Sequence, residues 1–149
     1  MIGGLGLRRF KRFSSIDLDL APLTVLTGLN SAGKTSTIQG LLLLRLALKG
    51  DGLVSLNGAE GLALGEPYDV LNHGSSDETL ELRARASGSD TWVNVRLGIP
   101  IDERALHLTL REVSHREACP AALVDIEPVF TYLCAERYGP RDILEAEAN

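Results

Sequence analysis

Residues 28 to 36 read Gly28-Leu29-Asn30-Ser31-Ala32-Gly33-Lys34-Thr35-Ser36 and complete the pattern G-x-x-x-x-G-K-[ST]. A chain carrying that pattern has to set a glycine-hinged turn between a strand and a helix. The flanks suit the demand. Leu23-Thr24-Val25-Leu26-Thr27 predicts a buried strand, and Ile38, Leu41, Leu42, Leu44, Leu46 and Leu48 predict a buried helix that opens at Lys34 and stops at Gly50. A plain Gly-rich turn, the bland alternative, leaves both flanks unexplained.

The residue types at these positions define an anion site. Gly28 and Gly33 allow the backbone to curl so that successive N–H groups point into one hollow. The helix beginning near Gly33 adds unpaired N–H groups and about half a unit of positive charge. Lys34 brings a full charge for the β- and γ-phosphates and is the candidate catalytic group. The hydroxyl of Thr35 suits Mg²⁺, and Ser36 suits an α-phosphate oxygen. The expected nucleotide-binding set is Gly28, Asn30, Ser31, Ala32, Gly33, Lys34, Thr35 and Ser36.

Charge distribution agrees with an anion near the N-terminal third. The net charge is −5, yet residues 1 to 49 hold seven basic and two acidic side chains, and the remainder holds eight basic and eighteen acidic. The acidic remainder argues against broad, unaided DNA binding. A chain of 149 residues with 44% hydrophobic composition can bury one core, so a single domain over 1–149 is expected. Cys119 and Cys134 lack metal or redox spacing and read as reduced thiols, although a disulfide stays open. The apolar run Leu41 to Leu44 is interrupted at Arg45, too short for a bilayer, and the N-terminus lacks the order of a secretory signal. A cytoplasmic location without membrane partners is expected.

Along the chain, Met1 to Leu7 and Ile16 to Leu20, separated by the basic and aromatic Arg8-Arg9-Phe10-Lys11-Arg12-Phe13, predict two antiparallel strands with Asp17 and Asp19 in water. Asp51 to Asp77 predicts loops around a short strand near Leu53 to Leu56. Period-two alternation in Leu80 to Ala86, Val93 to Leu97 and Leu106 to Arg111 predicts three half-exposed strands, the first pair joined by a Ser87–Asp90 turn. Trp92 falls on the polar parity, either as an interaction surface or as a strand-end residue covering the sheet. Val129 to Cys134 is apolar on both parities and predicts a strand buried on both faces, beside the run before the phosphate loop. Together these predict an α/β fold: a P-loop NTPase core of parallel strands and the loop's helix, with an antiparallel β subdomain packed on it.

Asn30 within the loop, the hairpin Arg8 to Phe13 before it and Leu41 to Arg45 after it resemble the N-terminal lobe of ABC-type ATPases of the SMC, RecF and OLD group. Leu23 to Ser36, Asp69-Val70-Leu71-Asn72-His73 and Tyr132 to Arg141 are similar to AAA-type ATPases found among bacterial defence and repair genes. The resemblance touches most of the chain. It implies ATP as the nucleotide, with Mg²⁺. It also implies a second ATPase head whose association and release drive a nuclease or another effector, with DNA involved indirectly. It nominates Lys11 or Arg12 for the α-phosphate, His73 for the γ-phosphate or partner head, and Arg137 and Arg141 for phosphate or the adjacent head. The competing readings are a solvated charged turn, a loop histidine without a role, and arginines paired with Glu136 and Asp142.

The chain departs from that pattern in two places. Ser87-Gly88 sits in a turn and does not make the expected signature segment. The acidic pair expected at a strand end is imitated only by Ala121 to Glu127, either a short metal-binding strand with Asp125 on Mg²⁺ and Glu127 assisting, or a loop. The resemblance therefore implies an incomplete head, in which hydrolysis needs a second head or further sequence. The alternative is a nucleotide-gated interaction module that binds without hydrolysis. A small GTPase is disfavoured by the absence of Asn-Lys-x-Asp, and a small-molecule kinase has only Arg137 to Arg141 to offer as a lid.

Overall fold

The computed structural model describes residues 1–102 and 105–124. Alternation along the strands sets the sheet. β1 (Ile2–Phe10) buries Leu5 and Leu7 and pairs with β2 (Phe13–Asp19) in a hairpin whose tip is Lys11-Arg12. β3 (Leu53–Ser55) is short. β4 (Thr79–Ala86) buries Leu80, Leu82 and Ala84, β5 (Trp92–Gly98) buries Val93, Val95 and Leu97, and β6 (His107–Ser114) buries Leu108. The six form one sheet in the order β2-β1-β4-β5-β6-β3, and every pairing is antiparallel.

The apolar face of this sheet is covered by α1 (Lys34–Lys49), which touches β1, β3, β4 and β5. Leu42, Leu43, Leu44, Ala47 and Leu48 are fully buried around α1, each leucine contributing about 2 kcal/mol through burial. The Gly50 N–H donates to the Leu46 carbonyl at 2.9 Å and closes the helix, with Lys49 in its last turn. Two one-turn α-helices follow, α2 (Pro67–Val70) and α3 (Ala121–Val124), and two 3-10 turns, Ala59–Gly61 and Arg116–Ala118, complete the described elements. Helix α3 is tied to α1 by Arg45, whose Nη1 donates to the Ala122 carbonyl at 2.9 Å.

The opposite face is polar and is organised by glycine. Gly6 lies between Asp17 of β2 and Arg83 of β4 in the pairing register. A Cβ there would stand 2.5 Å from both Arg83 Cγ and Asp17 Oδ1. Its absence lets Arg83 reach across β1 to Asp17 (2.6 Å), which also takes Arg8 at 2.6 Å. Two residues along, Arg85 crosses Gly4 to Asp19 at 2.6 Å. Trp92 packs against this ladder, with Arg83 and Arg85 at 4.6 and 5.4 Å from its ring centroid. Trp92 thus covers the sheet, the second of its two sequence readings.

The sheet corrects the predicted fold class. The described strands form an antiparallel sheet with few helices, not a parallel P-loop NTPase core with an antiparallel subdomain. The predicted strand Leu23 to Thr27 has no strand pairing, and Leu23 and Val25 are 82% and 72% exposed. Such a run becomes a strand only when a neighbour takes its backbone groups, and no described strand pairs with it. Ala121 to Val124, whose readings were a metal-binding strand or a loop, is the helix turn α3. Asp125, Glu127, Val129 to Cys134, Arg137 and Arg141 lie outside the described residues. The hairpin, the three alternating strands, the Ser87–Asp90 turn, β3 and the span of α1 follow the sequence reading closely.

Candidate phosphate-binding site

α1 begins in the middle of the glycine-hinged sequence. Gly28 has φ +145°, Ser31 +64° and Gly33 +93°, so the chain bends three times within six residues before the helix. Gly33 is the N-cap, in the left-handed region, and no side chain caps the helix. The first-turn N–H groups therefore have no intrahelical partner and face the loop. The helix's first turn carries no acidic residue that would compete for an anion. Thr37 anchors the turn from within, its N–H and Oγ1 both reaching the Gly33 carbonyl, at 2.9 and 3.0 Å.

Lys34 points back over the loop, its Nζ donating to the carbonyls of Gly28 (2.7 Å) and Leu29 (2.8 Å). This holds the ammonium beside the hollow. From the other side the hairpin tip closes in, and Arg12 Nη1 donates to the Ser31 carbonyl. A Cβ on Gly33 would lie 2.5 Å from Phe13 Cζ and 2.7 Å from Arg12 Cδ, so the hairpin rests directly on the loop's second glycine. The result is a pocket of about 370 Å³ lined by Lys11, Arg12 and the run from Asn30 to Ser36. Three of its lining side chains are cationic and none is acidic. Thr35 is exposed on the first turn at its edge.

The structure thus brings together most of the sequence-predicted set: Asn30, Ser31, Ala32, Gly33, Lys34, Thr35 and Ser36, with Lys11 and Arg12 as the facing wall. Gly28 serves through its φ angle and its carbonyl. His73 is not part of this pocket. It is exposed and lines a separate hollow with Tyr68, Asp69, Asn72 and Asp77.

Three residues near the site went unassigned in the sequence reading. Gln39 accepts the Lys11 ammonium at 3.0 Å through Oε1, Asn72 braces the hairpin tip, and Phe13 seats it on Gly33. Phe13 stands beside the basic tip and Asn72 within the segment Asp69 to His73 that carries the resemblance, whereas Gln39 has no sequence signal. Burial lowers the Lys11 ammonium below the ordinary lysine value, and the negative charge of Asp69 opposes that shift. Among the described residues no three His, Cys, Asp or Glu side chains are grouped to hold a metal. Cys119 is a half-buried free thiol, raised above the usual cysteine value by burial, with Arg116 opposing.

Comparison of the chain with protein-family models, curated proteins and solved structures found no match.

Proposed function

We propose that the chain binds a nucleoside triphosphate, ATP, with Mg²⁺ through the loop 28–36 and the first turn of α1. The observation that carries this is the convergence of Lys34, Arg12, Lys11 and the uncapped helix N-terminus on one pocket free of acidic lining. Backbone N–H groups and lysine neutralise a polyphosphate, and a guanidinium complements planar oxygen pairs. Thr35 offers one hydroxyl to Mg²⁺, whose remaining ligands would be phosphate oxygens and water. When bound, the ion supplies charge neutralisation to the phosphate oxygens.

Hydrolysis needs a carboxylate to orient the attacking water. No acidic side chain lines the pocket, so turnover in this reading depends on a second copy of the head or on residues outside the described set, Asp125 among them. The cycle would drive a partner of the DNA-repair or phage-defence kind, such as a nuclease, in the cytoplasm. No helix among the described residues is long and apolar enough to cross a membrane. The same lack of acidic lining favours a second reading, a nucleotide-gated interaction module that binds without hydrolysis.

Phosphate release measured across protein concentration separates the two. A specific rate that rises with concentration marks a site completed by a second copy. Binding without release at any concentration marks the gated module. Absence of Mg²⁺-ATP binding by the wild type overturns both.

A further inference from the structure

The hairpin tip that carries Arg12 is held in an unfavourable conformation. Arg9 and Lys11, neither of them glycine, have φ of +54° and +48°, a region that side chains adopt only where their surroundings impose it. The surroundings here are residues 70–72. The Lys11 N–H donates to the Val70 carbonyl at 2.7 Å, the Asn72 N–H donates to the Arg9 carbonyl at 3.0 Å, and Phe10 bridges to Leu71.

Asn72 uses both ends of its side chain. Nδ2 donates to the Lys11 carbonyl at 2.7 Å, and Oδ1 accepts the Gly74 N–H at 3.1 Å, closing the turn that follows. The Lys11 carbonyl belongs to the peptide that joins Lys11 to Arg12. Fixing it fixes the plane from which the Arg12 side chain departs toward the Ser31 carbonyl of the phosphate loop.

We infer that Asn72 is a positioning residue for the phosphate pocket, acting through the Lys11–Arg12 peptide to hold the Arg12 guanidinium over the loop. The inference rests on the nucleotide-binding reading above. It gives the 66–78 segment, at the far side of the hairpin, a direct link to the loop's arginine wall.

A double-mutant cycle in the full chain tests it. Asn72→Asp keeps the Oδ1 acceptor for Gly74 and replaces the donor with an oxygen facing the Lys11 carbonyl; Asn72→Ala removes the donor without that repulsion. Each should weaken Mg²⁺-ATP binding about tenfold when Arg12 is present and less than about twofold in an Arg12→Ala background, since coupled residues lose their effect together. Equal weakening in both backgrounds, or none in either, overturns the inference.

A second readout needs no nucleotide. Trypsin cleavage after Lys11 and Arg12, followed by mass spectrometry, should be faster in both variants, with amide protection in β4 and β5 unchanged. An unchanged cleavage rate also overturns the inference. If the wild type binds no Mg²⁺-ATP while cleavage rises as expected, the nucleotide reading fails and the tip-holding role of Asn72 stands.

Discussion

Gly33 answers to two constraints at once, and each alone would exclude a side chain. Its φ of +93° lies where a Cβ is strained, and that Cβ would also press on Phe13 and Arg12. Gly33→Ala should therefore lower stability by about 1–2 kcal/mol, read as a shift in the urea midpoint, and weaken Mg²⁺-ATP binding as the hairpin is pushed off the loop. The sequence pattern makes the first constraint legible, because a glycine before Lys-Thr marks a left-handed turn into a helix. It is silent on the second. Contact with Phe13 depends on how a distant hairpin folds over the loop, and Asn72 and Gln39 were missed for the same reason.

At the scale of elements, α1 and the outer face of the hairpin invite separate tests. Leu44 of α1 is fully buried in the core; Leu44→Ala should cost about 3 kcal/mol in chemical denaturation by leaving a cavity. On the polar face, burial alone would raise the Asp17 carboxyl, but hydrogen bonds and positive charge from Arg8 and Arg83 outweigh it and hold the group below the usual carboxylate value. A depressed folded value means that the contribution is present above the unfolded value near pH 4 and is lost as pH falls through the folded one. Wild-type stability should thus drop more steeply below about pH 4 than that of Asp17→Asn, as followed by urea titration at each pH. Strands β4, β5 and β6 were legible because half-buried antiparallel strands alternate residue by residue. Leu23 to Thr27 departs from its expected strand because a β-branched and apolar composition names no strand partner.

For the whole molecule, pattern supplied the strands and the neighbours joined by short turns, β1 with β2 and β4 with β5, but not the distant pairings. The order β2-β1-β4-β5-β6-β3 places β1 between two strands, one of them about seventy residues away, and brings β3 to the far edge beside β6. Neither placement leaves a local mark, so the parallel core inferred from the loop and from the resemblance gave way to a single antiparallel sheet. The proposed phosphate site does not rest on the parallel core, because the reading uses only a short turn, one helix N-terminus and the basic tip resting on them. The most direct test is calorimetric titration of the purified chain with Mg²⁺-ATP at physiological salt, with AMP and the Lys34→Ala variant in parallel. One binding site for Mg²⁺-ATP, weakened at least about a hundredfold by Lys34→Ala or by loss of the β- and γ-phosphates in AMP, is the expected result. No binding at millimolar Mg²⁺-ATP, or equal binding by wild type and Lys34→Ala, would contradict the assignment of this loop as a nucleotide site.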